Sequence, residues 1–402
     1  MLSKMRRIIH ISLLICLISC QQNGLDAVQV GAPVYIAASV GGDSMTKAPY
    51  MPKNNQGHMV ETPSPEHPLK TDVWGSTTSY IFTEEFYDQE KTRPWDGSDE
   101  SGKVAIHTDA TFQSGDPQLL RAAIYNKNTK PTVYFVAFSP ISQGAEKWVA
   151  SEDGKSASFV FSGNDDVMFA PQVQGTYATD YSKSPVLSYS HLLTWLRVEM
   201  QAESKEVSDS WGAIKSMTIR SNSNVKIDLQ KEAYNNDGTY NFENVVFSEE
   251  TDLMSLDKLG VCHRPRLGEE ESYDGAQVTM KKKFTDEVFT DIKVPYLKKE
   301  ELAYVLCAPV VGTDKKVVDG EEIDAEEYVI TISTDKRNVA IPVDLRHMVS
   351  GVVQPFLGST RCMQFTLSLN FKMGNTIYLT SSVQDWKVGG LVVGNIGDGN
   401  IQ

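Results

Sequence analysis

Cysteine and positive charge are both in short supply in this chain. Five cysteines occur in 402 residues and none of them forms a CxxC pair, which argues against a disulfide-stapled scaffold and against structural zinc. Lys and Arg total 38 against 52 Asp and Glu, so the net charge is -14 and would repel a phosphate backbone. We therefore expect no nucleic-acid partner. The length leaves room for two or three domains.

Motifs for catalysis, cofactors and metals are also lacking. The seven histidines form no HExxH pattern, and there is no GxSxG elbow, no P-loop and no GxGxxG fingerprint. Cys262 and His263 are adjacent, and neighbouring side chains on a strand point to opposite faces. The acidic groups Glu269–Glu271 and Glu321–Glu322 lack EF-hand spacing and are interpreted as solvated loops. The sequence thus predicts no enzyme activity, no cofactor and no metal site.

Long hydrophobic runs are limited to one stretch at the N-terminus. Residues 8–18 follow Lys4, Arg6 and Arg7, and they are too few for a membrane-spanning helix of about 20 residues. This shape indicates a secretory signal peptide over residues 1–19. The following Leu17-Ile18-Ser19-Cys20 resembles a bacterial lipobox, which implies that Cys20 is lipidated and that residues 20–26 form a tether to the membrane. An ordinary cleavage site beside an unmodified cysteine is the alternative.

What the chain does contain is β-strand periodicity. Val34, Ile36, Ala38 and Val40 alternate with their neighbours, and residues 132–138 form a continuous apolar run typical of a central strand. Alternation returns over residues 196–202, 328–333 and 363–373, and Gly374-Asn375 predicts a hairpin turn to residues 376–383. Helix is expected only at 117–125 and 249–259. The fold class is therefore all-β, built from antiparallel sandwiches.

Two stretches interrupt the β-strand periodicity. Residues 41–75 contain five prolines and little periodicity, so we expect a long loop. Residues 172–184 are polar and rich in Gly, Ser and Tyr, and strand periodicity restarts at Val186. Because the mature chain is too long for one sandwich, we predict an N-terminal sandwich over 27–183 and a C-terminal sandwich over 184–402.

Several segments together resemble the fimbrillin-like proteins, the lipoprotein-derived subunits and accessory subunits of type V pili in Bacteroidetes-type bacteria. The segments are the lipobox, Val133–Pro140, Asp166–Ala170, Leu187–Leu193 leading into Leu196, and Asp385-Trp386. The resemblance implies two transthyretin-like sandwiches in tandem and a lipoprotein carried to the outer membrane and exposed at the cell surface. It also implies that a trypsin-like protease removes the first strand and that a neighbouring subunit supplies a replacement strand.

In this chain the resemblance selects Val34, Ile36, Ala38 and Val40 as the removable strand and Lys47 as the maturation site. Many shaft subunits have arginine where this chain has Lys47, and Lys47 is followed by Ala-Pro. These departures leave a second interpretation in which the strand stays in place, as in anchor or accessory subunits. Residues 387–396 are apolar and glycine-rich. They are either a donor strand for a neighbouring subunit or the last strand of the C-terminal sandwich.

The function predicted from these features is a structural or adhesive subunit of a surface fimbrium. Its expected partners are other fimbrial subunits by donor-strand exchange, outer-membrane lipid through Cys20, and a host protein or glycan. The alternative is a surface glycan-binding lipoprotein that stacks exposed aromatic rings on sugars. The six tryptophans are too scattered for such a platform and are expected in the core, and His191 is expected to be hydrogen-bonded rather than a metal ligand.

Overall fold

The computed structural model describes just over half of the chain, 223 of its 402 residues, in segments. These are residues 31–40, 63–76, 79–80, 105–113, 118–126, 132–144, 147–161, 163, 166–175, 184–219, 221–247, 292–312, 316–318, 321–323, 328–343, 347–349, 352–354 and 358–385.

The described segments are mostly β-strand, which confirms the all-β prediction. The strands are β1 Gly31–Val40, β2 Leu69–Ser76, β3 Ala105–Phe112, β4 Gln118–Asn126, β5 Val133–Ser139, β6 Val149–Ala150, β7 Ser156–Val160, β8 Met168–Gly175, β9 Val186–His191, β10 Thr194–Ala202, β11 Ala213–Ile219, β12 Asn224–Asp228, β13 Val245–Phe247, β14 Ile292–Lys293, β15 Glu300–Cys307, β16 Val311–Gly312, β17 Lys316–Val318, β18 Glu321–Ile323, β19 Tyr328–Thr334, β20 Asn338–Val343, β21 His347–Val349, β22 Val352–Gln354, β23 Gly358–Ser359, β24 Met363–Phe371 and β25 Ile377–Asp385. The helix α1 spans Lys205–Trp211, and 3-10 helices span Lys231–Ala233, Phe242–Asn244 and Met373–Asn375. None of these helices has the length and apolar character needed to cross a bilayer.

The largest sheet has seven strands in the order β3-β2-β5-β8-β9-β1-β4. Its two end strands, β3 and β4, contact each other, so the sheet curls around its own core. Strand β5 lies near the middle and is buried along nearly its whole length, as its continuous apolar sequence predicts. Ile36, Val73, Phe135 and Tyr189 are among the buried side chains inside the curl.

A second core lies between this sheet and a four-stranded sheet in the order β13-β12-β7-β6. It is rich in aromatic rings: the Phe138 ring centroid lies 4.5 Å from that of Trp74 and 4.7 Å from that of Trp148. Trp195 and Trp211 are also buried, so all four described tryptophans lie in the core, as expected. Trp95 and Trp386 lie outside the described residues.

The third core fills the space between two further four-stranded sheets, ordered β15-β10-β24-β25 and β14-β11-β19-β20. The predicted alternation is confirmed in β10, β19 and β24, where every second side chain enters this core. The hairpin between β24 and β25 also forms where expected. Gly374 takes φ = 77° in its turn, a backbone conformation that glycine adopts without steric cost.

Helix α1 was not expected from the sequence. Ser204 caps its N-terminus by accepting a hydrogen bond from the amide of Val207, and Trp211 anchors its end in the third core. The chain leaves the helix at Gly212 with φ = 78°, where a Cβ would lie 1.7 Å from an Asp335 carboxylate oxygen. Seven residues are too few to stabilise a helix alone, so packing of Trp211 and Val207 decides its formation.

Three local expectations are wrong. Residues 118–126 form strand β4 rather than a helix, because pairing with β1 overrides the helical propensity of the local sequence. The expected loop over 41–75 ends early, since Leu69–Ser76 is a strand held between β3 and β5. Glu321 and Glu322 lie in strand β18, which pairs with β17, rather than in a loop. The short helix expected over 249–259 lies outside the described residues.

Several strand pairs connect the two sides of residue 183. Strand β9 pairs with β8 and with β1, and β12 pairs with β7. Both β9 and β12 follow residue 183, whereas their partners β8, β1 and β7 precede it. The division into units 27–183 and 184–402 remains a prediction.

Candidate functional site

Strand β1 has an unusual position, because it is the strand that joins β4 to the rest of the seven-stranded sheet. Its first half, from Gly31 to Ile36, pairs antiparallel with β4, with a register shift between Pro33 and Tyr35. Its second half, from Ala37 to Val40, pairs parallel with β9. The strand therefore has a neighbour on each side within the sheet and contributes to both pairings.

One face of β1 fills the core inside the curled sheet. Ile36, Ala38 and Val40 are 1%, 4% and 8% exposed and belong to that core, as the alternation predicts. Val34 also lies in β1, but its side chain is outside the description. On the opposite face, the Ser39 hydroxyl lies 3.3 Å from that of Ser188. We call the surface that β1 covers, on β9 and on this core, the β1 seat.

The end of the β1 seat is fixed by a buried tyrosine. Val40 is paired with Tyr189 of β9, whose hydroxyl donates to the Thr71 hydroxyl at 2.9 Å. Burial raises the pKa of the Tyr189 phenol far above its ordinary value, so it stays a neutral donor. Thr71 in turn donates to the carbonyl of Phe138. The seat thus has a rigid, hydrogen-bonded floor that is built from β2, β5 and β9.

His191 ends β9 and forms a buried pair with Asp166. Its Nδ1 lies 2.8 Å from an Asp166 carboxylate oxygen, and both side chains are at most 3% exposed. The expectation of a hydrogen-bonded histidine is confirmed. The backbone carbonyl of His191 also accepts a hydrogen bond from the Cys362 thiol at 2.6 Å. Cys307 and Cys362 are in no disulfide, and Cys262 lies outside the described residues.

A second polar cluster joins Asp72, Ser142 and His107, which the sequence did not single out. The Ser142 hydroxyl and amide both bond to Asp72, and His107 Nε2 lies 3.7 Å from the same carboxylate. The Ser142 oxygen accepts from the amide of Trp148 at 3.0 Å. Asp72 stands between the serine and the histidine, so the histidine is not placed to take a proton from the serine. The hydrogen bonds of this cluster fix the loop after β5, and they do not activate Ser142 as a nucleophile.

The other residues assigned from the sequence, Cys20 and Lys47, lie outside the described residues, as does the apolar tail 387–396. In the part that is described, no group of His, Cys, Asp and Glu side chains is arranged to hold a metal ion.

The fold is similar to solved structures of adhesion-related proteins from Bacteroides. A candidate cell adhesion protein of Bacteroides ovatus aligns with a TM-score of 0.42 and 13% identity, covering 90% of this chain and 100% of that chain. A fimbrial protein of Bacteroides vulgatus gives 0.37 and 11%, covering 88% and 99%. A candidate polysaccharide-binding protein of Bacteroides thetaiotaomicron gives 0.40 and 7%, covering 90% and 98%. At such low values these similarities assign neither family nor function.

No protein-family model matches the sequence, and neither does any curated protein.

Proposed function

We propose that this chain is a structural or adhesive subunit of a cell-surface type V fimbrium that assembles by β-strand complementation. In this proposal the chain is exported as a lipoprotein, modified at Cys20 and held at the outer membrane. It folds into two transthyretin-like sandwiches, as its resemblance to fimbrillin-like proteins implies. Its role is structural and adhesive rather than catalytic.

The observation that supports the proposal is the position of β1. Ile36, Ala38 and Val40 complete a core, yet they belong to a strand at the N-terminal end of the described chain. Burial of Ile36 and of Val40 stabilises the folded protein by about 1.5–3 kcal/mol for each side chain. An empty seat also leaves backbone groups of β9 without a hydrogen-bonding partner. A chain without β1 therefore gains several kcal/mol from accepting any strand of matching shape.

Maturation at Lys47 provides the step that empties the seat. Lys47 is the first basic residue after β1, so cleavage there leaves the strand attached by noncovalent contacts alone. An incoming strand then pairs with β9 and β4 in its place, which is the general mode of strand addition. The apolar tail 387–396 is the segment of this chain that we propose as donor for a neighbouring copy.

A permanently anchored subunit is the second form of the same proposal. If Lys47 is not cleaved, β1 stays seated and the chain remains attached through Cys20. The protein then acts as an anchor or accessory subunit that donates a strand without accepting one.

A glycan-binding lipoprotein that uses an aromatic platform receives no support from the described residues. Trp74, Trp148, Trp195 and Trp211 are all buried, and so are Tyr189, Tyr240, Tyr304 and Tyr328. Half-buried tyrosines such as Tyr80 and Tyr234 pack against each other with ring centroids 5.0 Å apart. These rings are engaged in the protein itself.

Intact mass and N-terminal sequencing of the protein recovered from the outer surface of its own bacterium test the proposal. A chain that begins just after Lys47 or another basic residue within 41–75, without lipid, indicates a polymerising subunit. A triacylated chain that begins at Cys20 indicates the anchored form and excludes removal of β1. A mature chain that begins elsewhere in the first 30 residues and carries no lipid contradicts both forms.

A further inference from the structure

A shallow groove of about 580 Å³ lies on the outer face of the four-stranded sheet β13-β12-β7-β6, away from the β1 seat. Its volume falls within the roughly 300–1,000 Å³ typical of small-ligand sites. Strands β7 and β12 supply its floor, the turn between β6 and β7 forms one wall, and the 3-10 helix Phe242–Asn244 forms the other.

The first wall is held rigid by hydrogen bonds. The Asp153 carboxylate accepts from the Ser151 hydroxyl at 2.7 Å and from the Lys155 amide at 3.1 Å. These bonds, the serine's first, lower the pKa of Asp153, so it is ionised at neutral pH. The Lys155 carbonyl accepts from the Leu229 amide at 2.7 Å, which ties this wall to the end of β12.

The floor and the second wall are tied together in the same way. Asp228 pairs with Ser156 in the sheet, and one of its carboxylate oxygens accepts from the amide of Gln230 at 2.9 Å. Its backbone carbonyl accepts from the Tyr240 hydroxyl at 2.7 Å, just before the second wall. Lys226 rises from β12 beside these groups, and Val246 of β13, 53% exposed, adds an aliphatic surface.

The composition of the groove selects a class of ligand. Asp153, Asp228 and Glu243 line the groove together with Lys155 and Lys226, and the Lys155 ammonium lies 3.5 Å from an Asp153 carboxylate oxygen. The groove therefore offers acceptors and donors at close spacing with little net charge. A phosphate ligand needs a clear positive excess, and an apolar ligand needs a hydrophobic lining. A peptide strand needs a free sheet edge, whereas this floor is a sheet face.

Neutral sugars match this combination, because each hydroxyl both donates and accepts and the C–H faces of the ring suit an aliphatic side chain. From the mixed charges, the fixed carboxylates and the exposed valine, we propose that this groove binds a neutral oligosaccharide. The site is independent of removal of β1, so it exists in both forms of the proposed fimbrial subunit.

Saturation-transfer NMR with the full-length chain tests the site. The probes are neutral oligosaccharides of glucose, xylose, mannose and galactose, with heparin and hyaluronan fragments as acidic comparisons. We expect at least one neutral oligosaccharide to bind, with an affinity that changes less than about twofold between roughly 0.05 M and 0.5 M salt. Asp228→Asn and Lys226→Gln should each weaken that binding by about fivefold or more, since each removes a charged hydrogen-bond partner.

Two matched variants make the result specific. Lys147→Gln and Glu66→Gln change an exposed lysine and an exposed glutamate outside the groove, so both should bind as the parent chain does. Lys226 is exposed, and its variant should keep the parent's thermal unfolding. Binding of no neutral oligosaccharide overturns the inference, as does binding of acidic fragments alone with strong salt dependence. Neutral-sugar binding that survives both groove substitutions places the site elsewhere and also overturns it.

Discussion

Replacing Ile36 with alanine is the most direct perturbation of the β1 seat. Ile36 is 1% exposed and belongs to the core inside the seven-stranded sheet. It also lies where β1 changes partner, as the last residue paired with β4 and the neighbour of Ala37, the first paired with β9. The substitution therefore weakens both halves of the strand at once.

The expected cost follows from the loss of buried methyl groups and the cavity that remains. Ile→Ala at a fully buried site destabilises by about 2–5 kcal/mol. Because β1 is held by its own pairings and side chains, we expect the loss to appear first as local release of the strand. A loss of about 2 kcal/mol corresponds to a roughly 30-fold increase in the population of the released state.

Hydrogen exchange measured by mass spectrometry follows this release. Peptides that cover β1 and β9 should exchange at least roughly 30-fold faster in Ile36→Ala, whereas peptides from β19 and β24 in the third core should keep their rates. Ser39→Ala is the matched control in the same strand. It removes a single hydroxyl contact of 3.3 Å and should change exchange by a few-fold at most.

Equal acceleration in β9 and β24 would refute the reasoning, since β1 would then unfold only with the whole chain. So would an Ile36→Ala protein with unchanged exchange in β1, because the strand would not depend on its core face.

Three further predictions concern other parts of the chain. Lys205→Met should raise the pKa of Asp209 from about 2 toward its ordinary 3.8, because the hydrogen bond from the Lys205 ammonium lowers that pKa most; NMR titration of the Asp209 carboxyl measures the change. In the parent, the stability that Asp209 contributes through these bonds is complete above pH 3.8 and is lost as the pH falls toward 2. In native protein, iodoacetamide should alkylate half-buried Cys362 well before buried Cys307, as peptide mapping will show. Gly212→Ala should cost about 1–3 kcal/mol of unfolding free energy in urea, because its Cβ meets the Asp335 side chain.

Each of these has a control. Lys231→Met removes an exposed lysine elsewhere and should leave the Asp209 titration unchanged. A Cys307 that reacts as fast as Cys362 would contradict its burial in the third core. Gly238→Ala, at φ = 84° with no heavy atom within 4 Å of the added Cβ, should cost less than Gly212→Ala. An equal cost would show that backbone strain alone, and not the clash with Asp335, sets the penalty at Gly212.

Strands with one wet face could be predicted from the sequence, because burial on a single face leaves a period of two. Strand β24 shows this best, since its alternation and the Gly374 turn are both local signals. Strand β4 could not be predicted, because it owes its conformation to pairing with β1, more than 80 residues away for the pair Tyr35 and Leu119. Nothing in the local sequence of β4 indicates that β1 will be its partner.

The polar clusters could not be predicted from the sequence for the same reason. Asp166 and His191 are 25 residues apart and meet only because β8 and β9 pair. The groove is lined by residues between Ser151 and Val246, most of which are partly or fully exposed and belong to no motif in their own segments. Long-range strand pairing, rather than any motif, brings both sets of side chains together.

The parallel pairing of β1 with β9 also favours a particular order of events in folding. Ser39 and Ser188 meet across 149 positions of sequence, and closing so long a loop is entropically costlier than forming the hairpins nearby. Strand β9 pairs with β8 through a much shorter connection, so we expect it to be in place before the second half of β1 docks on it. Strand β1 is therefore expected to complete its pairing late among the described strands of this sheet.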